Sequence, residues 1–259
     1  MRIYSSVFVA MALLCGTMAV SAQGVLIGRQ YDSLLFQQRV SSMDEFMERF
    51  NGEDLSVQED GDMLSKMQRV FRVCNRDVLD QDPQKWFPFL TDLAQNGVRL
   101  RYTDTNWAAI ATCVVDVDGR EDTVTLTLKV ERVKRSIYKW AISSASGSVL
   151  TLSPLKESPL FSISPANNEV NFISLSDITT DNAQNILCYG SRDCRVDQTS
   201  VFYALVAKGY LKIKYVVDLV YRFDVAKYTF FVSFFNRDTF NAGWLISDFV
   251  ENHAADHEK

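Results

Sequence analysis

The sequence predicts an α+β protein of helices packed on curved antiparallel sheets, arranged as two similar units. Three observations carry that expectation. Apolar residues recur at helical spacing up to Gly97 and alternate with polar ones from Trp107 onward. Three of the five prolines, Pro154, Pro159 and Pro165, then fall in the serine-rich stretch SPLKESPLFSISPANN, a composition suited to an extended connector. Beyond that stretch the order of helices followed by strands repeats.

The chain opens with one charge at Arg2, an apolar run from Val7 to Val20 broken by Cys15, Gly16 and Thr17, and the small pair Ser21-Ala22. This reads as a secretory signal peptide over residues 1–22, cut before Gln23. Acylation at Cys15 competes with it, but Leu14 is bulky where a lipobox wants a small residue. No later segment has 18 unbroken apolar residues, so no transmembrane helix is expected.

Phe36, Val40, Met43, Met47 and Phe50 form one stripe on a helix from Ser33 to Asn51, and the capping box Ser42-Met43-Asp44-Glu45 allows a later start at Met43. An acidic connector runs from Gly52 to Asp62. Met63, Met67, Val70, Phe71 and Cys74 then mark a second amphipathic helix. Asp82-Pro83 suits a helix start, Pro88 predicts a break near Phe87, and Asn96-Gly97 suits a helix end. Strands are expected at Trp107–Val117, Thr123–Val133 and Ile137–Ser144, the first two joined by an Asp118-Gly119 turn. Val124, Leu126, Leu128 and Val130 should face a core, with the intervening threonines and Lys129 in solvent.

After the connector, short helices are expected at Asp181–Leu187 and Gln198–Lys208, and strands in LKIKYVVDLVYRF, KYTFFVSFF and GWLISDFV. The domain division is therefore a first α+β domain at 23–150, a connector at 151–169, a second α+β domain at 170–250 and a polar tail at 251–259. A shift of 104 positions lays the segment from Thr123 over that from Lys227. Trp140, Ile142 and Ser143 then meet Trp244, Ile246 and Ser247. Both a duplication and two coincidental hairpins fit this match.

Helices followed by a long antiparallel meander ending in Tyr138-Lys139-Trp140-Ala141-Ile142 resemble the nuclear transport factor 2-like, or cystatin-like, α+β superfamily, as found in exported bacterial proteins. The resemblance covers about residues 33–147 and, more loosely, 170–250. It implies helices laid on a curved sheet, and either a binding or scaffold module or an isomerase- or dehydratase-like enzyme, since the fold serves both.

Composition narrows the chemistry. The two histidines, His253 and His257, both lie in the tail, which leaves Ser-His-Asp, Cys-His and histidine-ligated metal chemistry without an imidazole in the body. A net charge of -5 and the absence of GxxxxGK[ST] and GxGxxG give nucleic acid and phosphate-cradling loops no support. No cofactor, metal or catalytic residue is assigned. Asp116, Asp118, Glu121 and Asp122 around Gly119 fit either a solvated hairpin turn or a loose oxygen-rich cation site, with the turn favoured; so do Glu53, Asp54, Glu59, Asp60 and Asp62 for an acidic loop. Cys188 and Cys194 enclose a glycine-containing polar stretch and are a candidate disulfide, whereas Cys74 and Cys113 read as buried thiols.

The strand Tyr228–Phe235 is apolar on both faces. Phe230, Val232 and Phe234 form one face and Phe231 and Phe235 the other. This fits either a central strand covered by helices on one side and a further sheet or domain on the other, the favoured reading, or an exposed patch, with Phe231 and Phe235 as the candidate interaction residues for a protein, a glycan or a second copy. Asp224 beside Tyr221 or Tyr228 is the carboxylate and hydroxyl pair that an isomerase-like pocket would need. The expected function is an exported, non-catalytic binding or assembly module of the bacterial cell envelope. The alternative is a small-molecule enzyme using such a pair in a cone-shaped pocket.

Overall fold

A computed structural model of the chain describes residues 39–54, 63–152, 175–179, 183–191, 193, 195–238 and 240–252. The expected signal peptide, nearly all of the connector and the histidines lie outside these residues. Four helices come first: α1 (Met43–Asn51), α2 (Met63–Phe71), α3 (Arg76–Gln81) and α4 (Pro83–Gln95). Strands β1 (Trp107–Val117), β2 (Arg120–Lys134) and β3 (Ile137–Ser146) follow, then α5 (Leu175–Thr179), α6 (Gln198–Ala207), β4 (Leu211–Val225), β5 (Tyr228–Phe235) and β6 (Gly243–Glu251). The strands make a six-stranded antiparallel sheet in the order β3-β2-β1-β4-β5-β6, so the α+β class is correct.

The described residues fall into two compact units whose segments alternate along the chain. One takes Met1–Ala108, Arg132–Tyr138 and Val220–Lys259, and the other Ala109–Glu131 and Lys139–Leu219.

Local chemistry explains the boundaries of the first unit. Ser42 caps α1 by accepting from the Glu45 N–H at 3.2 Å, while Glu45 returns a carboxylate to the Ser41 N–H at 2.7 Å. The helix therefore starts at Met43, the later of the two expected starts, and Val40 lies before it, bridged to Gly243. Asp82 caps α4 through the Lys85 N–H with Pro83 as its first residue, and Gly97 leaves it at φ +58°. The break expected at Pro88 is absent, because α4 runs through it. Pro88 and Gln84 are both exposed, so the carbonyl that proline leaves without a helical donor is on the solvent side. Cys74 lies three residues past α2 and bridges Ile246 in parallel, which is why the helical stripe ends early.

Helices α1 and α4 bury Phe46, Phe50, Trp86 and Phe89 against strand residues Phe223, Tyr228, Phe230 and Phe249. Each such ring contributes about 2–3 kcal/mol through removal of apolar surface from water. The outer edge of β6 is paired by non-strand backbone: Val40 N–H reaches the Ala242 carbonyl, Trp244 N–H the Val40 carbonyl, Ile246 N–H the Val73 carbonyl and Asn75 N–H the Ile246 carbonyl, at 2.8 to 3.0 Å. These bonds blunt an edge that would otherwise template association. Arg237 ties the β5–β6 turn to the segment between α2 and α3, donating to Asn75 Oδ1 at 2.7 Å and pairing with Asp77, while Asn241 Nδ2 donates to the Cys74 carbonyl at 2.8 Å.

The second unit has its own core of Ala111, Cys113, Val115, Val124, Leu126, Ala145, Leu150, Phe202 and Leu211. Of the expected inward row on β2, Val124, Leu126 and Val130 are buried and Leu128 is half-buried. Asp118 at φ 51° and Gly119 at φ 81° make the two left-handed positions of the β1–β2 turn. Asp197 caps α6 through the Ser200 N–H at 2.9 Å, and Phe202 is the side chain that α6 buries. The segment expected as a helix at Asp181–Leu187 is a 3-10 turn at Ala183–Tyr189.

Candidate functional site

Three places in the described residues have the composition of a site. The first is a cavity of about 430 Å³ in the first unit, walled by α1 and the segment after α4. Asn51, buried at the end of α1, builds its floor. Its side-chain amide donates to the Leu100 carbonyl and accepts the Leu100 N–H, both at 2.9 Å, mimicking a strand partner. The Asn51 carbonyl accepts from Arg69 at 3.2 Å and Arg99 at 2.7 Å, which places two cations at the negative end of the helix. The Tyr102 hydroxyl donates to the Asp44 carboxylate at the cavity wall.

This is a carboxylate and tyrosine pair, though the sequence pointed to a different one. Burial, and then the Asp44 carboxylate, push the Tyr102 hydroxyl well above its usual range. A tyrosine moved away from neutrality is a poorer proton donor at physiological pH, the opposite of what general acid catalysis asks. Burial, followed by the charge on Asp44, also raises Tyr221. The expected partnership of Asp224 with Tyr221 or Tyr228 is not formed through the tyrosine hydroxyls: Asp224 accepts from Thr229 Oγ1 at 2.7 Å and pairs with Arg222 at 3.1 Å.

The Tyr228 hydroxyl instead donates to Asp92 on α4 at 2.8 Å. Lys227 joins the same carboxylate at 2.8 Å and Glu251 at 2.9 Å, forming a second polar cluster. The Asp92 carboxyl is held below its ordinary value by the hydrogen bond from Lys227 and then by that from Tyr228. Hydrogen-bonding Asp92, and then Glu251, raises Lys227. The cluster closes α4 onto the β5–β6 hairpin, and each of its groups already has a partner.

The third place is the outer face of β5. Phe231 and Phe235 are both half-buried. Phe231 stands in register with Arg222 and Asp248, and the Arg237 guanidinium lies 5.1 Å from the Phe235 ring centre. Phe230 and Val232 are fully buried as alternation requires, but Phe234 is 42% exposed. It lies at the end of the strand, where it meets Trp244 at 5.3 Å and the Arg39 guanidinium at 5.5 Å.

The turn carboxylates are used separately. Asp116 accepts the Gly119 N–H at 3.1 Å, Glu121 pairs with Lys214 and Asp122 accepts from Ser148 at 3.2 Å. Among the described residues no three His, Cys, Asp or Glu side chains gather as ligands would. In the acidic loop Asp54 is paired with Arg72, and residues 59–62 lie outside the described residues. Cys74 and Cys113 are buried thiols. Cys188 is unbridged and half-buried, and Cys194 lies outside the described residues.

Two signals that the sequence reading missed were nonetheless present. Asp44 belongs to the capping box, and Tyr102 stands five residues before β1, but nothing local indicates that they meet. Among the described residues no helix is long and apolar enough to cross a membrane. Comparison with protein-family models, with curated proteins and with solved structures returns no match.

Proposed function

We propose that the chain is an exported, non-catalytic binding or assembly module of the bacterial cell envelope, of the nuclear transport factor 2-like type. The observation that carries this reading is the row of aromatic rings between the helices and the sheet of the first unit. Rings run without interruption from Trp107 to Phe223 at 5.3 Å, Phe230 at 5.0 Å, Phe89 at 6.1 Å and Phe249 at 4.2 Å, ending on Trp86 at 5.0 Å. A catalytic relative would need a hollow between helices and sheet along this row; here aromatic side chains occupy it.

Export rests on the leader-like first 22 residues. The two-unit reading finds support in the strand order, which holds two three-stranded meanders, β1-β2-β3 and β4-β5-β6. Phe231 and Phe235 remain the proposed patch for a protein or glycan.

The test is in-cell cross-linking of the tagged chain, followed by isolation from the envelope fraction and amino-terminal sequencing. The expected result is a chain starting at Gln23, cross-linked to a protein or glycan or to itself. A cytosolic chain carrying no cross-link would overturn the proposal. A second reading, an enzyme, is favoured by the cavity at Tyr102 and Asp44. Turnover of a small molecule that Tyr102→Phe and Asp44→Asn both abolish would establish it in place of the first.

A further inference from the structure

The cavity beside α1 is a cleft whose two walls carry opposite charge. Asp44 and Glu48, four residues apart and so on one face of α1, belong to one wall; Arg99 and Arg101, in the segment after α4, belong to the other. Met47 and Leu100, both buried, supply apolar surface to the same cleft. Its volume of about 430 Å³ falls within the roughly 300–1,000 Å³ of small-molecule sites, near the lower end.

The basic wall is held in place by backbone contacts. Asn51 fixes Leu100 through both ends of its side-chain amide. Arg101 closes a turn with Asp104, its N–H donating to the Asp104 carboxylate at 3.1 Å and its carbonyl accepting the Asp104 N–H at 3.0 Å. Three of the charged groups are already engaged: Asp44 accepts from the Tyr102 hydroxyl, and Arg99 donates to the Asn51 carbonyl and lies 3.9 Å from Glu53. Among the described residues, the Glu48 carboxylate and the Arg101 guanidinium make no hydrogen bond or ion pair. One free anion and one free cation therefore line the same small space.

These charges choose the class of ligand. A phosphate or other simple anion would meet three carboxylates, those of Asp44, Glu48 and Glu53, and a simple cation would meet two guanidinium groups. A molecule carrying an ammonium and a carboxylate side by side satisfies both walls, and an apolar side chain on it can lie against Met47 and Leu100. The acidic wall already acts on its neighbour: burial first, then Asp44 and Glu48, raise the Tyr102 hydroxyl.

We propose that this cleft binds a free α-amino acid with an apolar side chain, its ammonium taken by Glu48 and its carboxylate by Arg101. The inference goes beyond the binding-module reading, whose partner meets Phe231 and Phe235, and either can fail without the other.

Isothermal titration calorimetry of the full chain with L-leucine tests it. The expected result is saturable binding with a dissociation constant below about 1 mM. Leucinamide, which lacks the carboxylate, and isocaproate, which lacks the ammonium, should each bind at least about tenfold more weakly, because each leaves a charged hydrogen bond unmade. Glu48→Gln and Arg101→Gln should each weaken leucine by a similar factor. Both side chains are exposed, so the fold should survive, and circular dichroism checks that it does. Absence of leucine binding overturns the proposal. So does leucinamide or isocaproate binding as tightly as leucine, or leucine binding that either substitution leaves unchanged. Envelope cross-links that persist where leucine fails to bind overturn the amino-acid site alone and leave the binding-module reading standing.

Discussion

The backbone of Gly243 passes so close beneath Val40 that a Cβ on the glycine would lie 2.0 Å from the Val40 carbonyl oxygen. Gly243 also stands at φ +89°, in the left-handed region. The two residues form the parallel bridge that starts β6 and anchors the segment leading into α1.

Gly243→Ala is therefore expected to destabilise the protein by at least about 2 kcal/mol, since strain and collision act together and the obstructing atom is backbone. Urea titration checks this. The midpoint should fall with little change in slope, whereas Gly119→Ala, at φ +81° but with no atom within 4 Å of the added carbon, should lose less.

Neighbouring phenylalanines on β5 should respond differently. Phe230 is fully buried between Phe50, Phe89 and Phe223, so Phe230→Ala should cost about 3–5 kcal/mol. Phe231 is half-buried on the other face, and Phe231→Ala should cost about 1–2 kcal/mol. Equal losses measured by thermal unfolding would contradict the assignment of faces.

Asp92 supplies a pH dependence. Its folded pKa lies below the ordinary 3.8, so its contribution is complete above that value and disappears as pH falls through the folded pKa. Asp92→Asn should flatten the acid limb of a stability–pH profile and cost about 1 kcal/mol near neutrality, a modest figure because the carboxylate is partly exposed. Tyr228→Phe should reproduce part of the loss, through the same 2.8 Å hydrogen bond.

Pro88 is the one expected helix break that α4 ignores. Pro88→Ala restores a helical N–H opposite the exposed Gln84 and should raise stability by about 1 kcal/mol, less than the full proline penalty because proline also restricts the unfolded chain. A lower melting temperature for the alanine variant would contradict this.

Much of the local structure was legible in short stretches of chain. Ser42 and Glu45 announce the start of α1, Asp82-Pro83 that of α4, and Asp118-Gly119 the first hairpin, because caps and left-handed turns depend on residues a few positions apart. Strand β1 was legible to the residue, because its apolar run is bounded by polar sequence on both sides. The exposure of Phe234 was not legible, since alternation along β5 puts it on the same face as the fully buried Phe230 and Val232. The polar partnerships were equally hidden: Asp224 lies close to Tyr228 in sequence, but the Tyr228 hydroxyl bonds to Asp92, 136 residues away.

By itself the sequence determined the class of the protein, most of its helices and strands, and a body without histidine. Those properties follow from composition and from periods of two and 3.6 residues, which act within one element. The tertiary structure alone decided that the rings of α1 and α4 pack on those of β4, β5 and β6, and that Val40 and Val73 cover the edge of β6. Each of these depends on which distant segment packs against a strand, a relation between elements that no local pattern encodes.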